Sequence, residues 1–309
     1  MPPALLGCVV AIGNFDGVHR GHRAVIARAQ ALAKKLGKAC AVLTFEPHPA
    51  DFFARRSVIF RLTPSDAKAV CLQRLKLDGM IVLTFDAALS ALSAEEFVAQ
   101  VLVGRLGISA VVAGYDFHFG KARAGTPLFL QEAGRRHGFA VEIVERIARD
   151  AGGRIDAVSS TATREALERG DVAAASLLLG HDYFVTGTVI HGKKLGRTLG
   201  FPTANLALDP SCRLATGIYA VRVVVDGEVL GGVASFGHRP TFDNGAALLE
   251  VFVFDFSGDL YGHELEVAFV SRIRGEEKFD SADALVVRMK VDEREAREAL
   301  GLEVLGEIG

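Results

Sequence analysis

The sequence predicts an α/β domain followed by a β-rich domain, and three observations carry that expectation. Through about residue 180, apolar strand-like runs alternate with helix-like runs. From about Tyr183 onward, strand-like runs follow one another with a single helix at the end. The chain has 309 residues, a length that favours about two domains.

In the first half, strands are expected over 8–13, 39–45, 80–85, 110–114 and 140–147. They are apolar throughout rather than alternating, the pattern of strands covered by helices on both faces. This half therefore reads as a doubly wound α/β domain, in which ligands bind beyond the carboxyl ends of the strands. A helix is expected over 22–36. Thr63 before Pro64 reads as an N-cap followed by proline in the first turn, and Ser93 with Glu96 reads as a capping box. Two short helices are expected within 158–180, with Ser160 and Asp171 as caps and Gly180 as terminator.

In the second half the runs YFVTGTVI, IYAVRVVV, EVLGGVASFG, ALLEVFVFDF and ELEVAFV read as strands. Asp226-Gly227 between two of them is a hairpin signal. Short strands at near-regular spacing fit a small barrel or a sandwich, and an amphipathic helix over about 281–300 closes the chain. The domains are expected to be 1–182 and 183–309.

Half of the residues are hydrophobic, enough for a large core without disulfides. A net charge of −2 gives no general attraction to nucleic acid or to a membrane, and neither is expected as a partner. The four cysteines are scattered singly and form no CxxC, which fits buried thiols in a reducing compartment. No signal-peptide pattern opens the chain and no uncharged apolar run reaches membrane-spanning length, so a cytoplasmic protein is expected.

Two segments are dense in chemistry. GNFDGVHRGH, residues 13–22, follows an apolar run and precedes a helix-like run. Gly13, Gly17 and Gly21 free the backbone where it bends or nears a ligand. His19 and His22 share a face at a helix start, where free N–H groups and the positive dipole end favour an anion. Two histidines alone are commonly surface or capping residues; the glycine turn, the preceding strand and Asp16 favour phosphate handling. Zinc is disfavoured, because no third ligand lies at useful spacing. EPHP (46–49) and GYDFHFG (114–120) also follow strands and would line the same crevice.

The second segment is HGKKLGRTLGFPTAN, residues 191–205. Gly192, Gly196 and Gly200 recur among Lys193, Lys194 and Arg197, as in a flexible basic loop that folds over phosphates. Thr203 and Asn205 supply oxygens suited to Mg²⁺ and phosphate. A solvated basic hairpin is the alternative. Glu250 lies in LLEVFVFDF and shares a strand face with Phe252, Phe254 and Phe256. A carboxylate there loses solvation, a setting that tunes a general base, or else belongs to a structural pair with a buried arginine.

These residues resemble the family of prokaryotic bifunctional riboflavin kinase/FMN adenylyltransferases, over nearly the whole length and in the same order. GNFDGVHRGH, TFEPHP, GYDFHFGKARAG and SSTATR resemble its adenylyltransferase motifs. GKKLGRTLGFPTAN, GIYAV, RPTF, LEVFVFDF, DLYG and RGEEKF resemble its kinase motifs. The resemblance implies a Rossmann-like nucleotidyltransferase domain and a six-stranded antiparallel flavin-binding barrel closed by a helix. It implies ATP as co-substrate, Mg²⁺ as cofactor, and riboflavin, FMN and FAD as substrates and products.

The resemblance further implies roles. His19 and His22 would stabilise charge on the ATP phosphates; Gly13, Asn14, Phe15, Asp16 and Gly17 would bind ATP and its phosphates, with Asn14 and Asp16 shaping the nucleotide loop. Ser160, Thr161 and Arg164 would hold phosphate. Glu250 would take the proton of the ribityl hydroxyl, and Thr203 would bind Mg²⁺ with Asn205 beside it. Gly192, Lys194, Gly196 and Arg197 would close over ATP. Pro47, His48, Asp116, Arg274 and Phe279 would contact flavin. Four positions depart from the family pattern: His118 for arginine, Thr126 for aspartate, Ser235 for asparagine and Phe252 for histidine. None of them carries a central chemical role, so both activities are expected.

Overall fold

The computed structural model describes residues 2–146, 158–191, 201–238 and 247–303. By Cα packing the chain divides into two compact units, Met1–Ile59 with Thr63–Ser159, and Phe60–Leu62 with Ser160–Gly309.

The first unit is built on a parallel sheet. Its strands are β1 (Val9–Ile12), β2 (Cys40–Glu46), β3 (Gly79–Thr84), β4 (Ala110–Gly114) and β5 (Ala140–Val144), in the order β3-β2-β1-β4-β5. In register, Val9 pairs with Cys40 on one side and with Ala110 on the other. The three middle strands are buried along nearly their whole length, whereas β3 and β5 are partly exposed. Helical cover on both faces thus holds for the interior strands, and the sheet edges meet water. The chain turns from β1 towards β2 on one side and comes back to β4 on the other. The crevice of such a sheet opens at that reversal, beyond the carboxyl ends of β1 and β4.

The helices are α1 (Arg20–Leu36), α2 (Pro49–Ala54), α3 (Ser65–Arg74), α4 (Ala87–Ala91), α5 (Ala94–Glu96) and α6 (Pro127–His137). α1 begins two residues earlier than its pattern predicts, because His19 caps it. Ser93 and Glu96 form the expected capping box, yet the helix beyond them winds as a π-helix over Phe97–Arg105, which buries Phe97, Val98, Val101 and Leu102. The expectation for Thr63 is corrected: α3 starts at Ser65 with no side-chain cap, and the Thr63 hydroxyl accepts instead from the N–H of Gly17 at 2.7 Å. β5 ends at Val144 among the described residues, and the rest of its predicted span reaches 147, outside them.

The second unit is a closed barrel, which decides between the two β architectures. Its strands are β6 (Tyr183–Ile190), β7 (Ala204–Ala207), β8 (Gly217–Val225), β9 (Glu228–His238), β10 (Ala247–Val253) and β11 (Glu264–Arg274), ordered β10-β7-β6-β11-β8-β9 with antiparallel pairs. Alternate residues such as Tyr219, Val221, Leu249, Val251, Val267 and Phe269 fill the interior. Asp226 and Gly227 take φ values of 49° and 89°, as a type I′ hairpin requires, and Val225 faces Glu228.

Helices α7 (Ser160–Glu168) and α8 (Val172–Leu179) place Ala166, Leu167, Val172, Ala175 and Leu179 in the same core as the barrel. The packing therefore divides at 159/160 rather than at 182. Phe60 and Leu62 lie in this core too. Asp171 caps α8 at 2.9 Å and Gly180 ends it with φ 78°, both as expected, while Ser160 is the first residue of α7 rather than the residue before it. The closing helix α9 (Ala282–Leu300) is capped by Ser281 and joined to β11 by the pair Arg274–Asp292.

Candidate active sites

In the first unit the 13–19 segment leaves β1 and enters α1. It carries positive φ at Phe15 (49°), Gly17 (88°) and Val18 (41°), so the chain coils tightly above the strand end. Phe15 and Val18 are buried beneath it. Phe15 sets its ring against the edge of His22, with centroids 5.1 Å apart. Asp16 is 2% exposed and accepts from the N–H of Thr63 at 2.9 Å, so it shapes the loop from within. The carbonyl of Asn14 accepts from the Thr44 hydroxyl at 3.0 Å.

The two histidines meet as predicted, though by a different geometry. His19 sits at the N-cap and its Nδ1 accepts from the backbone N–H of His22 at 3.2 Å. In the neutral ring this leaves the proton on Nε2. The rings stack 3.6 Å apart at 12°. A side chain at position 21 would come within 3.1 Å of the His19 ring, which accounts for Gly21. The capping reading of His19 holds, and the cap fixes the ring at the N-terminus of a 17-residue helix, where an anion is favoured.

Of the residues expected around flavin in this unit, Pro47 and His48 follow β2, and His48 caps α2 by accepting from Ala50 N–H at 3.2 Å. Asp116 follows β4 and is exposed, its carbonyl 2.9 Å from Nδ1 of the exposed His118. Thr126 caps α6, accepting from Phe129 N–H at 3.1 Å, so the substitution for aspartate preserves an oxygen acceptor at the cap. Ser160, Thr161 and Arg164 lie on α7 in the second unit. Thr161 is exposed, and Arg164 Nε donates to the carbonyl of Phe60 at 2.7 Å.

In the barrel, register assembles what sequence separates. Ile190 on β6 faces Asn205 on β7, Asn205 faces Glu250 on β10, and Glu250 faces Ser235 on β9. Directly opposed residues share a face, so Asn205, Glu250 and Ser235 form one row across three strands. Leu249 and Val251, flanking Glu250 in sequence, point into the barrel core. Glu250 is thus on the outer face and partly exposed, not enclosed between apolar layers. Phe252, on the same face, packs its ring on Phe201 and Phe254 at 5.2 and 5.9 Å.

Arg274 stands two strands beyond Ser235 in that row, through Ile218. Its guanidinium is forked onto Asp292 of α9, Nε to Oδ1 at 2.8 Å and Nη2 to Oδ2 at 2.6 Å. The hydrogen bonds that Arg274 donates to Asp292 raise the arginine's pKa above its ordinary value. Phe279 lies under the guanidinium at 5.7 Å. These two expected flavin contacts therefore meet each other and α9. Gly192, Lys194, Gly196 and Arg197 fall within 192–200 and lie outside the described residues.

Sequence reasoning missed a cleft in the second unit. It is open to solvent, and Thr203, Val251, Phe256, Asp259 and Tyr261 line it. The His191 ring lies 4.1 Å from that of Tyr261. The DLYG motif was the available signal, but only folding brings it beside Thr203. Among the described residues no group of three His, Cys, Asp or Glu side chains is placed to hold a metal ion. No helix among them is long and apolar enough to cross a membrane.

Known proteins resemble the chain over the same spans. The profile of FAD synthetase matches residues 2–162 and that of riboflavin kinase matches 179–300. A bifunctional riboflavin kinase/FMN adenylyltransferase of Haemophilus influenzae is 42% identical over 294 residues, 95% of this chain and 94% of the relative. The protein of that name from Escherichia coli is 41% identical over 297 residues, 96% of this chain and 94% of its own length. A crystal structure from Streptococcus pneumoniae, named as a macrolide-efflux protein, superposes with a TM-score of 0.81 at 33% identity, covering 96% of this chain and 95% of that one.

Proposed function

This chain belongs to the bifunctional riboflavin kinase/FMN adenylyltransferase family, and on that premise we propose that it makes FAD in two steps at two sites. The second unit transfers the γ-phosphoryl of ATP to the 5′-hydroxyl of riboflavin, giving FMN and ADP. The first unit joins FMN to the AMP part of a second ATP, releasing pyrophosphate. The observation that carries the proposal is the pair of separate constellations: the stacked His19–His22 rings at a helix N-terminus, and the Asn205–Glu250–Ser235 row across the barrel.

For phosphorylation, Glu250 accepts the proton of the ribityl hydroxyl as that oxygen attacks phosphorus. Its partly exposed outer face leaves it within reach of a bound substrate, and Asn205 and Ser235 on either side orient the hydroxyl. Thr203, which lines the cleft, would supply a hydroxyl oxygen to the Mg²⁺ that accompanies ATP, and the ion would offset charge on the phosphates. Tyr261 and Phe256 give the cleft a surface for the adenine ring. The role of Gly192, Lys194, Gly196 and Arg197 toward the ATP phosphates rests on the resemblance, since they lie outside the described residues.

For adenylylation, the FMN phosphate is itself the nucleophile, so no covalent enzyme intermediate is required. It attacks the α-phosphorus, the bond to the β,γ-phosphates breaks, and His19 and His22 stabilise the charge on the departing pyrophosphate. Asn14, Asp16 and Gly17 hold the loop in place. Pro47, His48 and Asp116, after β2 and β4, border the flavin. All four cysteines are free and buried, which suits the reducing cytoplasm we assign to the enzyme.

Product analysis with riboflavin, ATP and Mg²⁺ tests the reading. FMN should form first and FAD second, with one ADP and one pyrophosphate per FAD. FMN accumulating without FAD would overturn the adenylyltransferase half. FAD made from supplied FMN, but not from riboflavin, would overturn the kinase half. Riboflavin binding with no ATP consumed would favour a flavin-binding protein without turnover.

A further inference from the structure

Lys68 is a charged side chain of the first unit that the proposed chemistry does not use. It is 1% exposed, on α3. An ammonium is costly to bury, so its hydrogen bonds and ion pair must offset the lost hydration. Its Nζ donates to the Thr44 hydroxyl and to Glu46 Oε1, each at 3.2 Å. Thr44 is fully buried and donates in turn to the carbonyl of Asn14 at 3.0 Å. The relay therefore runs from the ammonium through one hydroxyl to the start of the 13–19 loop. A hydroxyl polarised by a cation is a stronger donor than one that is not.

The other end of the loop is held from the same element. Thr63, just before α3, accepts from Gly17 N–H and donates its own N–H to Asp16. The backbone N–H of Lys68 bonds the carbonyl of Pro64 at 2.8 Å, which ties Lys68 to the Thr63 end of the helix. Between these grips lie Phe15 and Val18, non-glycine residues with φ of 49° and 41°. Such conformations persist only where the surroundings over-determine them.

We propose that Lys68 is a positioning residue for adenylyl transfer: acting through Thr44, it holds the Asn14 carbonyl and keeps the 13–19 loop in the form that receives ATP. The proposal rests on the reading of residues 13–22 as the ATP loop. A loosened loop must be ordered by ATP at the expense of affinity, so the effect falls on ATP rather than on FMN.

The test uses the full chain and follows both reactions. Lys68→Met and Thr44→Val should each raise the ATP KM of adenylyl transfer about ten-fold, the signature of lost binding rather than lost chemistry. In Thr44→Val the FMN KM and the riboflavin kinase rate should stay within about two-fold, and Thr44→Ser should recover most of the loss. Because the two residues act in series, Lys68→Met with Thr44→Val should be no worse than either alone, within about two-fold. Should Lys68→Met fail to fold, seen as a lost parallel-sheet and helix signal in far-UV circular dichroism, Thr44→Val against Thr44→Ser decides alone. An unchanged ATP KM in Thr44→Val, or equal rises for ATP and FMN, would overturn the proposal. His19→Ala with His22→Ala separates the failures: if that variant still makes FAD, the ATP-loop reading falls with it, whereas if it is inactive while Thr44→Val behaves as the parent, only the role of Lys68 falls.

Discussion

The two units gather their candidate site residues in opposite ways. In the parallel sheet one connection does most of the work: Asn14, Asp16, Gly17, His19 and His22 lie within ten residues of one another, between the end of β1 and the first turn of α1. In the barrel the assembly is lateral. Asn205, Ser235 and Glu250 come from three strands and meet only because the register opposes them. A strand-to-helix loop can place a whole site on its own, since helix N-terminus, cap and glycine turn are consecutive in the chain. A strand contributes one residue per row, so a barrel site depends on every pairing around it. The first kind of site should tolerate distant change better than the second.

The contrast is sharpest where one reaction fails and the other persists. Glu250→Gln removes the proton acceptor but keeps the row, and should lower riboflavin phosphorylation by about 10³-fold; steady-state assays of each half reaction should find FMN-to-FAD conversion within about two-fold of the parent. The mirror experiment, His19→Ala with His22→Ala, should lower FAD formation by about 10²-fold or more and spare the kinase. Should either variant damage both activities alike, the separation of the two sites would be refuted.

Smaller effects test how the barrel is held. Arg274→Leu leaves Asp292, buried in α9, with Arg288 Nε at 3.0 Å as its remaining cation. The expected loss in urea unfolding is about 2 kcal/mol, short of the several kcal/mol typical when a buried charge loses every partner. Kinase activity should fall with it and adenylyl transfer should not. The smallest effect concerns acid. Hydrogen bonds from Arg297 hold the Asp255 carboxyl below its ordinary value of 3.8. A depressed folded value means that the stabilisation is complete above the unfolded value and is lost as pH falls through the folded one. Asp255→Asn should therefore lower stability at neutral pH by under about 1 kcal/mol, since the carboxylate is 64% exposed, and the difference from the parent should vanish well below pH 3.8 in thermal melts.

The local grammar of the fold was readable from the sequence, element by element. The capping box at Ser93, the cap at Asp171, the terminator at Gly180 and the hairpin at Asp226-Gly227 all stand where short-range rules place them. The exceptions share a cause. Thr63 has the residue type of a cap and the right neighbour in Pro64, but its hydroxyl binds Gly17, 46 residues away. Helices α7 and α8 read as the end of the first domain, but their apolar faces belong to the barrel core. In each case a long-range partner displaced the local one.

For this protein the sequence alone determined the kinds of elements, the turns that join them, and the inventory of reactive groups in two ordered sets of motifs. Those properties depend on φ preferences, caps and periodicity, which a few neighbouring residues settle. Only the tertiary structure decided that the second half closes into a barrel, that Glu250 shares a row with Asn205 and Ser235, and that Lys68 lies buried beneath the Asn14 loop. A one-residue slip in strand register would send Glu250 inward and Val251 outward. What excludes the slip is the packing of the whole interior, which no local stretch of the chain specifies.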